Sequence, residues 1–334
     1  MKTGFYLKLF VISFCMAILV VACKKDKDVE PVIVIDGNPS VASLSGRSIS
    51  FSGNNMSFSV DLFVVDKNGK QVKGLSKGNF AVDNKSSNYT YTLDDIKTVG
   101  QTAKAGGYAA MMLLDQSGSI FSSDPDYLRI EASKIFIKSL GQNDRAAVAS
   151  FTSNYSKNIV YHQGFSRDTT AQFKTLDSLS KVAAGGTPLY YSVIEAQNYT
   201  ALKATNPNKA ILAFTDGDDT DYTKTIKDVI ANSLAKNIPV YTIGLSNDVE
   251  EVVLAQMANE TGGAFFWAKD AKQLVTAFGT LGNLLEGSAE LYRTTWSLKR
   301  ASGNWKIGDT ISGTLKITLP SGEVIDSVFF ITIK

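Results

Sequence analysis

The chain has 334 residues, 34 basic against 32 acidic side chains and 44% apolar residues. That length predicts about two domains with a sizeable core. The balanced charge, without basic runs, leaves no footprint for nucleic acid and no electrostatic hold on an anionic membrane. The only cysteines, Cys15 and Cys23, lie at the N-terminus and the only histidine is His162, which excludes a disulfide framework in the body of the chain and the usual His- and Cys-based zinc or triad chemistry.

In chain order, Lys2 and Lys8 precede an apolar run over residues 9–21, which ends in Val20-Val21-Ala22-Cys23. The run is shorter than the roughly 20 residues of a membrane-spanning helix, and the pattern predicts a signal peptide over 1–22. Its ending resembles a bacterial lipobox. The resemblance implies acylation (diacylglyceryl and palmitate-type chains) of Cys23, cleavage before it, and a lipid anchor in the outer membrane of the cell envelope, with the periplasmic and cell-surface faces both open. Residues 23–40 carry the mixed-charge stretch from Lys24 to Pro31 and are expected to be a solvated tether.

Residues 41–106 read as β. Residues 58–65 alternate polar and apolar and lead into Asp66-Lys67-Asn68-Gly69, a hairpin signal, after which Gln71-Val72 and Phe80-Ala81-Val82 suggest further strands. Residues 287–334 also alternate, over 292–298, 309–319 and 323–333, with a turn at Pro320-Ser321-Gly322. Together the two flanks offer about seven strands, enough for one small β-sandwich into which the middle of the chain is inserted.

Residues 107–286 alternate strand and helix. Buried strands are predicted at 108–114, 146–151, 210–215, 239–244 and 264–267, with an edge strand at 158–161. Helices are predicted at 126–140, 172–182, 189–204, 223–236, 249–260 and 272–285. This order predicts an α/β fold, a doubly wound, mostly parallel sheet with helices on both faces, whose ligands bind at the carboxyl ends of the strands.

At the end of the first buried strand stands Asp115-Gln116-Ser117-Gly118-Ser119, a D-x-S-x-S spacing. Gly185-Gly186-Thr187-Pro188 precedes a helix, and Phe214-Thr215-Asp216-Gly217 closes a strand. Taken together these segments resemble the metal-ion-dependent adhesion site of the von Willebrand factor type A family, and the likeness covers the whole central region. The resemblance implies that Ser117, Ser119 and Thr187 touch a Mg²⁺ or Mn²⁺ ion, with Asp115 and Asp216 often acting through water. Mg²⁺ takes six oxygens and sheds water reluctantly. A site rich in neutral hydroxyls leaves it electrophilic enough to accept a carboxylate from a partner. Each segment alone is also an ordinary turn or helix start.

Other features carry less. Asp218, Asp219 and Asp221 lack the spacing of an EF-hand loop and read as a solvated acidic loop. His162 reads as a surface or half-buried residue, and Met111 and Met112 as core. The leading expectation is a non-enzymatic module on a lipid-anchored envelope lipoprotein that binds a protein partner's Asp or Glu through the metal. Beside it stand a structural or assembly subunit with a dispensable metal site, and a metal-assisted hydrolase, for which no base beyond carboxylates is visible.

Overall fold

The computed structural model describes residues 36–83, 88–179, 183–247 and 249–334; the expected leader, Cys23 and most of the tether lie outside the described residues. The N-terminal flank forms β1 (Ser40–Ser52) and β2 (Asn55–Val65), a single 3-10 turn at Lys77–Asn79, then β3 (Phe80–Val82) and β4 (Tyr89–Gly100). The turn at Asn68-Gly69 is present, with Asp66 accepting from the backbone N–H of Asn68 and Lys70 at 2.9 Å each. Beyond it Gln71 returns only as an isolated bridge to Val65, so the expected second strand does not form there.

The middle of the chain runs β5 (Tyr108–Asp115), α1 (Ile120–Ser123), α2 (Leu128–Ser139), β6 (Arg145–Phe151), β7 (Ile159–Ser166), α3 (Thr169–Leu179), α4 (Leu189–Lys203), β8 (Asn208–Thr215), α5 (Ile226–Lys236), β9 (Val240–Leu245), α6 (Glu251–Thr261), β10 (Ala264–Ala268) and α7 (Ala271–Glu286). The C-terminal flank adds β11 (Glu290–Arg300), β12 (Thr310–Thr318) and β13 (Val324–Thr332).

One ten-stranded mixed sheet has the order β4-β11-β2-β1-β10-β9-β8-β5-β6-β7. Strands β10, β9, β8, β5 and β6 are mutually parallel. Every residue of β5 is buried, as its unbroken apolar run requires when helices cover both faces. Its alternate side chains serve the two sides. Met112 and Leu114 meet Ile130, Phe136, Phe278 and Leu281 of α2 and α7, whereas Met111 and Leu113 meet Val193, Val229, Leu254 and Met257 of α4, α5 and α6.

The flanks do not stand apart from this sheet. Strand β1 pairs antiparallel with β10, Ala42 opposite Phe266 and Leu44 opposite Ala264, so its first residues lie beside the carboxyl end of β10. Strand β11, from the C-terminal flank, lies between β2 and β4 of the N-terminal one. Over this extension packs a three-stranded sheet, β13-β12-β3, which again combines both flanks. The space between is filled by Phe58, Leu62, Trp296, Leu315, Phe329 and Ile331 among others. Where the chain enters, Gly37 N–H donates to the Lys67 carbonyl at 3.0 Å, Asn38 bonds Asp270, and Gln273 of α7 reaches the Pro39 carbonyl at 3.1 Å.

Candidate metal centre

The site forms at the carboxyl ends of β5 and β8, where a parallel sheet leaves strand ends and loop backbone free of ladder pairing. Asp115 is the last residue of β5 and is fully buried. One of its carboxylate oxygens accepts the Ser117 N–H and the other the Thr215 hydroxyl, both at 2.7 Å, which fixes the plane of the group. Ser117 is buried, whereas Ser119 reaches solvent at the start of α1. Their hydroxyls lie 3.0 Å apart, and both donate to Asp216 Oδ1, at 3.4 Å from Ser117 and 2.9 Å from Ser119. Ser123, from the end of α1, donates to Asp216 Oδ2 at 2.5 Å.

Thr187 arrives from the third loop. Its N–H donates to the Thr220 hydroxyl at 2.7 Å, and Thr220 N–H returns a bond to the Thr187 carbonyl at 2.8 Å. Its own hydroxyl lies beside Gly217, 3.7 Å from where a Cβ on that glycine would stand. The residue in the cap position of α4 is Pro188, and the first turn of the helix is capped from elsewhere: Leu189 N–H donates to the Thr187 carbonyl and Tyr190 N–H to the Asp219 carboxylate, at 2.9 Å each. The Thr187 hydroxyl is therefore not used as a helix cap, the role its sequence context alone would allow.

The loops are held by backbone bonds that the glycines permit. Gly118 N–H donates to the Gly185 carbonyl at 3.0 Å, and Gly186 N–H donates to the Ser153 hydroxyl at 2.7 Å. Gly185 sits at φ +89°, where a Cβ would stand only 2.7 Å from the Thr152 hydroxyl and 2.9 Å from that of Ser153. That position accepts glycine without strain and no other residue so readily.

Electrostatically the site lacks a counterion of its own. Among the described residues neither Asp115 nor Asp216 pairs with a Lys or Arg. Burial, and then the nearby Asp216 charge, push the Asp115 carboxyl up to about 7; burial also raises Asp216. Two buried like charges on converging hydroxyls are the condition that a bound cation relieves. Among the described residues no three His, Cys, Asp or Glu side chains gather into a metal-binding group. The donor set is instead three hydroxyls and two carboxylates, all oxygen, which suits a small hard dication.

Thus Asp115, Ser117, Ser119 and Asp216 meet in one hydrogen-bonded group, and Thr187 is set beside it. Sequence reasoning missed Ser123 and Thr215. Thr215 stands within a quoted segment but shows no donor pattern, and Ser123 belongs to a helix of four residues that carries no periodic signal. The acidic loop is used locally. Asp218 accepts Glu250 N–H at 2.8 Å, Asp219 accepts Tyr190 N–H at 2.9 Å, and Asp221 accepts from the Asn158 amide at 2.9 Å. Burial raises Asp219 to about 6. His162 is half-buried, 2.7 Å from the Ser150 hydroxyl.

A family model described as the von Willebrand factor type A domain matches residues 111–280. No curated protein matches the chain. Among solved structures, proximal thread matrix protein 1 of the mussel byssus, described with a zinc-occupied MIDAS motif, is 15% identical at a TM-score of 0.45, over 61% of this chain and 49% of its own. This chain therefore spans about half the length of that protein. A von Willebrand factor type A protein from Catenulispora acidiphila is 12% identical at a TM-score of 0.45, over 90% of this chain and 75% of its own. The corresponding domain of the type V pilus tip protein Mfa5 of Porphyromonas gingivalis is 15% identical at a TM-score of 0.43, over 55% of this chain and 96% of its own.

Proposed function

Because the chain belongs to the von Willebrand factor type A domain family, we propose that it is a divalent-metal-dependent protein-binding module, of the adhesion or scaffold kind and without catalytic activity. The observation that carries this reading is the convergence of Ser117 and Ser119 on Asp216, with Asp115 buried alongside and, among the described residues, no Lys or Arg paired to either carboxylate. Ser117, Ser119 and Thr187 would hold a Mg²⁺ or Mn²⁺ ion with Asp115 and Asp216. Bound there, the ion would supply a Lewis-acidic position for the carboxylate of a partner's Asp or Glu. The protein's own residues do the rest. Thr215 and the Ser117 N–H orient Asp115, Ser123 turns Asp216 toward the serines, and the Gly118–Gly185 contact holds the two loops together.

Calorimetry with Mn²⁺ on a soluble chain beginning after Cys23 tests it. The expected result is a saturable heat that Asp115→Ala abolishes. No heat from the parent chain, or an unchanged heat from the variant, removes the reading. A second reading, an assembly subunit whose contacts come from the antiparallel half, is favoured by one feature. A groove of about 530 Å³ on that half is lined by hydroxyls including Ser50, Ser57, Thr92 and Ser297. Capture of the same partner in EDTA as in Mn²⁺ would select it.

We also propose that the chain is a lipoprotein held to the outer membrane through Cys23, since the lipobox-like Val20-Val21-Ala22-Cys23 follows a charged and apolar leader. Metabolic labelling with a fatty-acid probe is expected to mark the protein, and label kept by Cys23→Ala refutes the assignment.

A further inference from the structure

We propose that Arg129 is a positioning residue of the candidate metal centre, gripping both ends of the 115–124 loop through Gln116 and Asp124; this rests on the reading of that loop given above. Arg129, on α2, is fully buried, and so are Gln116 and Asp124. Its guanidinium donates to Asp124 Oδ2 at 2.9 Å, to the Gln116 side-chain oxygen at 3.3 Å and to the Leu179 carbonyl at 3.3 Å. The Gln116 amide donates to the same Leu179 carbonyl at 3.2 Å, closing a buried polar network.

A buried ion pair is weak grounds for stability, because well-packed apolar side chains in its place are often as stable or more so. Its value lies in geometry, and here the geometry is specific. Gln116 sits between Asp115 and Ser117. Its backbone N–H donates to the Phe151 carbonyl and its carbonyl accepts from Ala184, at 2.9 Å each. With its side chain also held, the peptide units that aim Asp115 and Ser117 have no freedom to turn. Asp124 closes the far end. It follows Ser123, the residue that donates to Asp216, and it accepts the backbone N–H groups of Leu128 and Arg129 at 2.7 and 3.1 Å. One guanidinium thus ties the first and last residues of the segment that supplies Ser117, Ser119 and Ser123.

Two variants of the soluble chain test the assignment. Arg129→Met combined with Asp124→Asn removes both charges together; Gln116→Met leaves the ion pair intact and decides the matter should the double variant fail to fold. Amide hydrogen exchange in EDTA and Mn²⁺ calorimetry are both read well below the melting temperature. The expected result is faster exchange confined to residues 115–124, with helices α5 and α6 unchanged, and Mn²⁺ dissociation constants weakened about 10- to 100-fold, the range for lost outer-shell support. A merely structural role would lower the melting temperature and leave exchange in the loop and Mn²⁺ affinity within twofold of the parent, which overturns the proposal. If the parent binds Mn²⁺ and Gln116→Met binds it equally, the positioning role falls while the metal reading stands. If the parent takes up no Mn²⁺, both fall as statements about a metal centre.

Discussion

The two halves of the ten-stranded sheet solve different problems. The parallel half, β10-β9-β8-β5-β6, with antiparallel β7 at its outer edge, is covered by helices on both faces, and its buried carboxylates Asp115 and Asp216 stand at the ends of β5 and β8. The antiparallel half, β4-β11-β2-β1, interleaves strands from opposite ends of the chain, and a second small sheet covers one face. In the first, two carboxylates, Asp115 and Asp216, are buried with no Lys or Arg paired to them among the described residues, which opposes stability. In the second, stacked rings, leucines and β-branched side chains fill the core. Stability and chemistry are thus segregated along a single sheet.

That segregation can be broken experimentally. The largest effect is expected in the antiparallel half. Phe329 stacks on Phe58 with ring centroids 5.3 Å apart, is 1% exposed, and lies against Gly313. Phe329→Ala should cost about 3–5 kcal/mol in urea unfolding. Because β1 and β10 share hydrogen bonds, tryptophan fluorescence in a Trp267→Phe background, which leaves Trp296 and Trp305 in the sandwich, and helical circular dichroism, reporting on the parallel half, should shift together. Separate midpoints would show that the halves unfold independently.

A smaller, pH-dependent effect is expected from the parallel half. The Asp115 carboxyl is raised in the fold to about 7, against about 3.9 in an unfolded chain. A raised folded-state value favours the protonated fold. In EDTA this contribution is therefore fully present below about pH 4 and is lost as the pH rises through about 7. Asp216 and Asp219, also raised by burial, act in the same direction. Melting temperatures measured between pH 4.5 and 7.5 (roughly the window those values define) should fall with pH in EDTA. The fall should shrink in Asp115→Asn and flatten with saturating Mn²⁺. A slope unaffected by Asp115→Asn would mean that the charge at this end costs the fold nothing.

The parallel half was the more legible in sequence. Residues 108–114 and 210–214 are unbroken apolar runs and 146–151 is broken only by Ser150, and burial on both faces produces that signal and little else does. The D-x-S-x-S and Thr-Asp-Gly segments at two of these ends, with Gly-Gly-Thr-Pro before a helix, located the loops that converge. Strands β1 and β4 were not anticipated. β1 is rich in serine and bends at Ser45, where φ is +45°. β4 is an edge strand whose Asp94-Asp95 interrupts the alternation of Tyr89 to Leu93. Their attachment to the parallel core is a long-range pairing, which no local pattern encodes. Arg129 and Asp124 were passed over for the opposite reason: charged residues at a helix start read as solvated, and only the fold reveals them as fully buried.

The antiparallel pairing of β1 with β10 has a directional consequence. Since β1 begins where β10 ends, the described chain comes in at the pole of the sheet that also bears Asp115 and Asp216. From β1 across β10, β9 and β8 to β5 is four strand spacings, or roughly 20 Å at about 4.8 Å each. The first described residues and the hydroxyl cradle therefore share one pole. The opposite pole, where Asp144 receives the backbone N–H of Tyr108 at 2.7 Å, would face away from both.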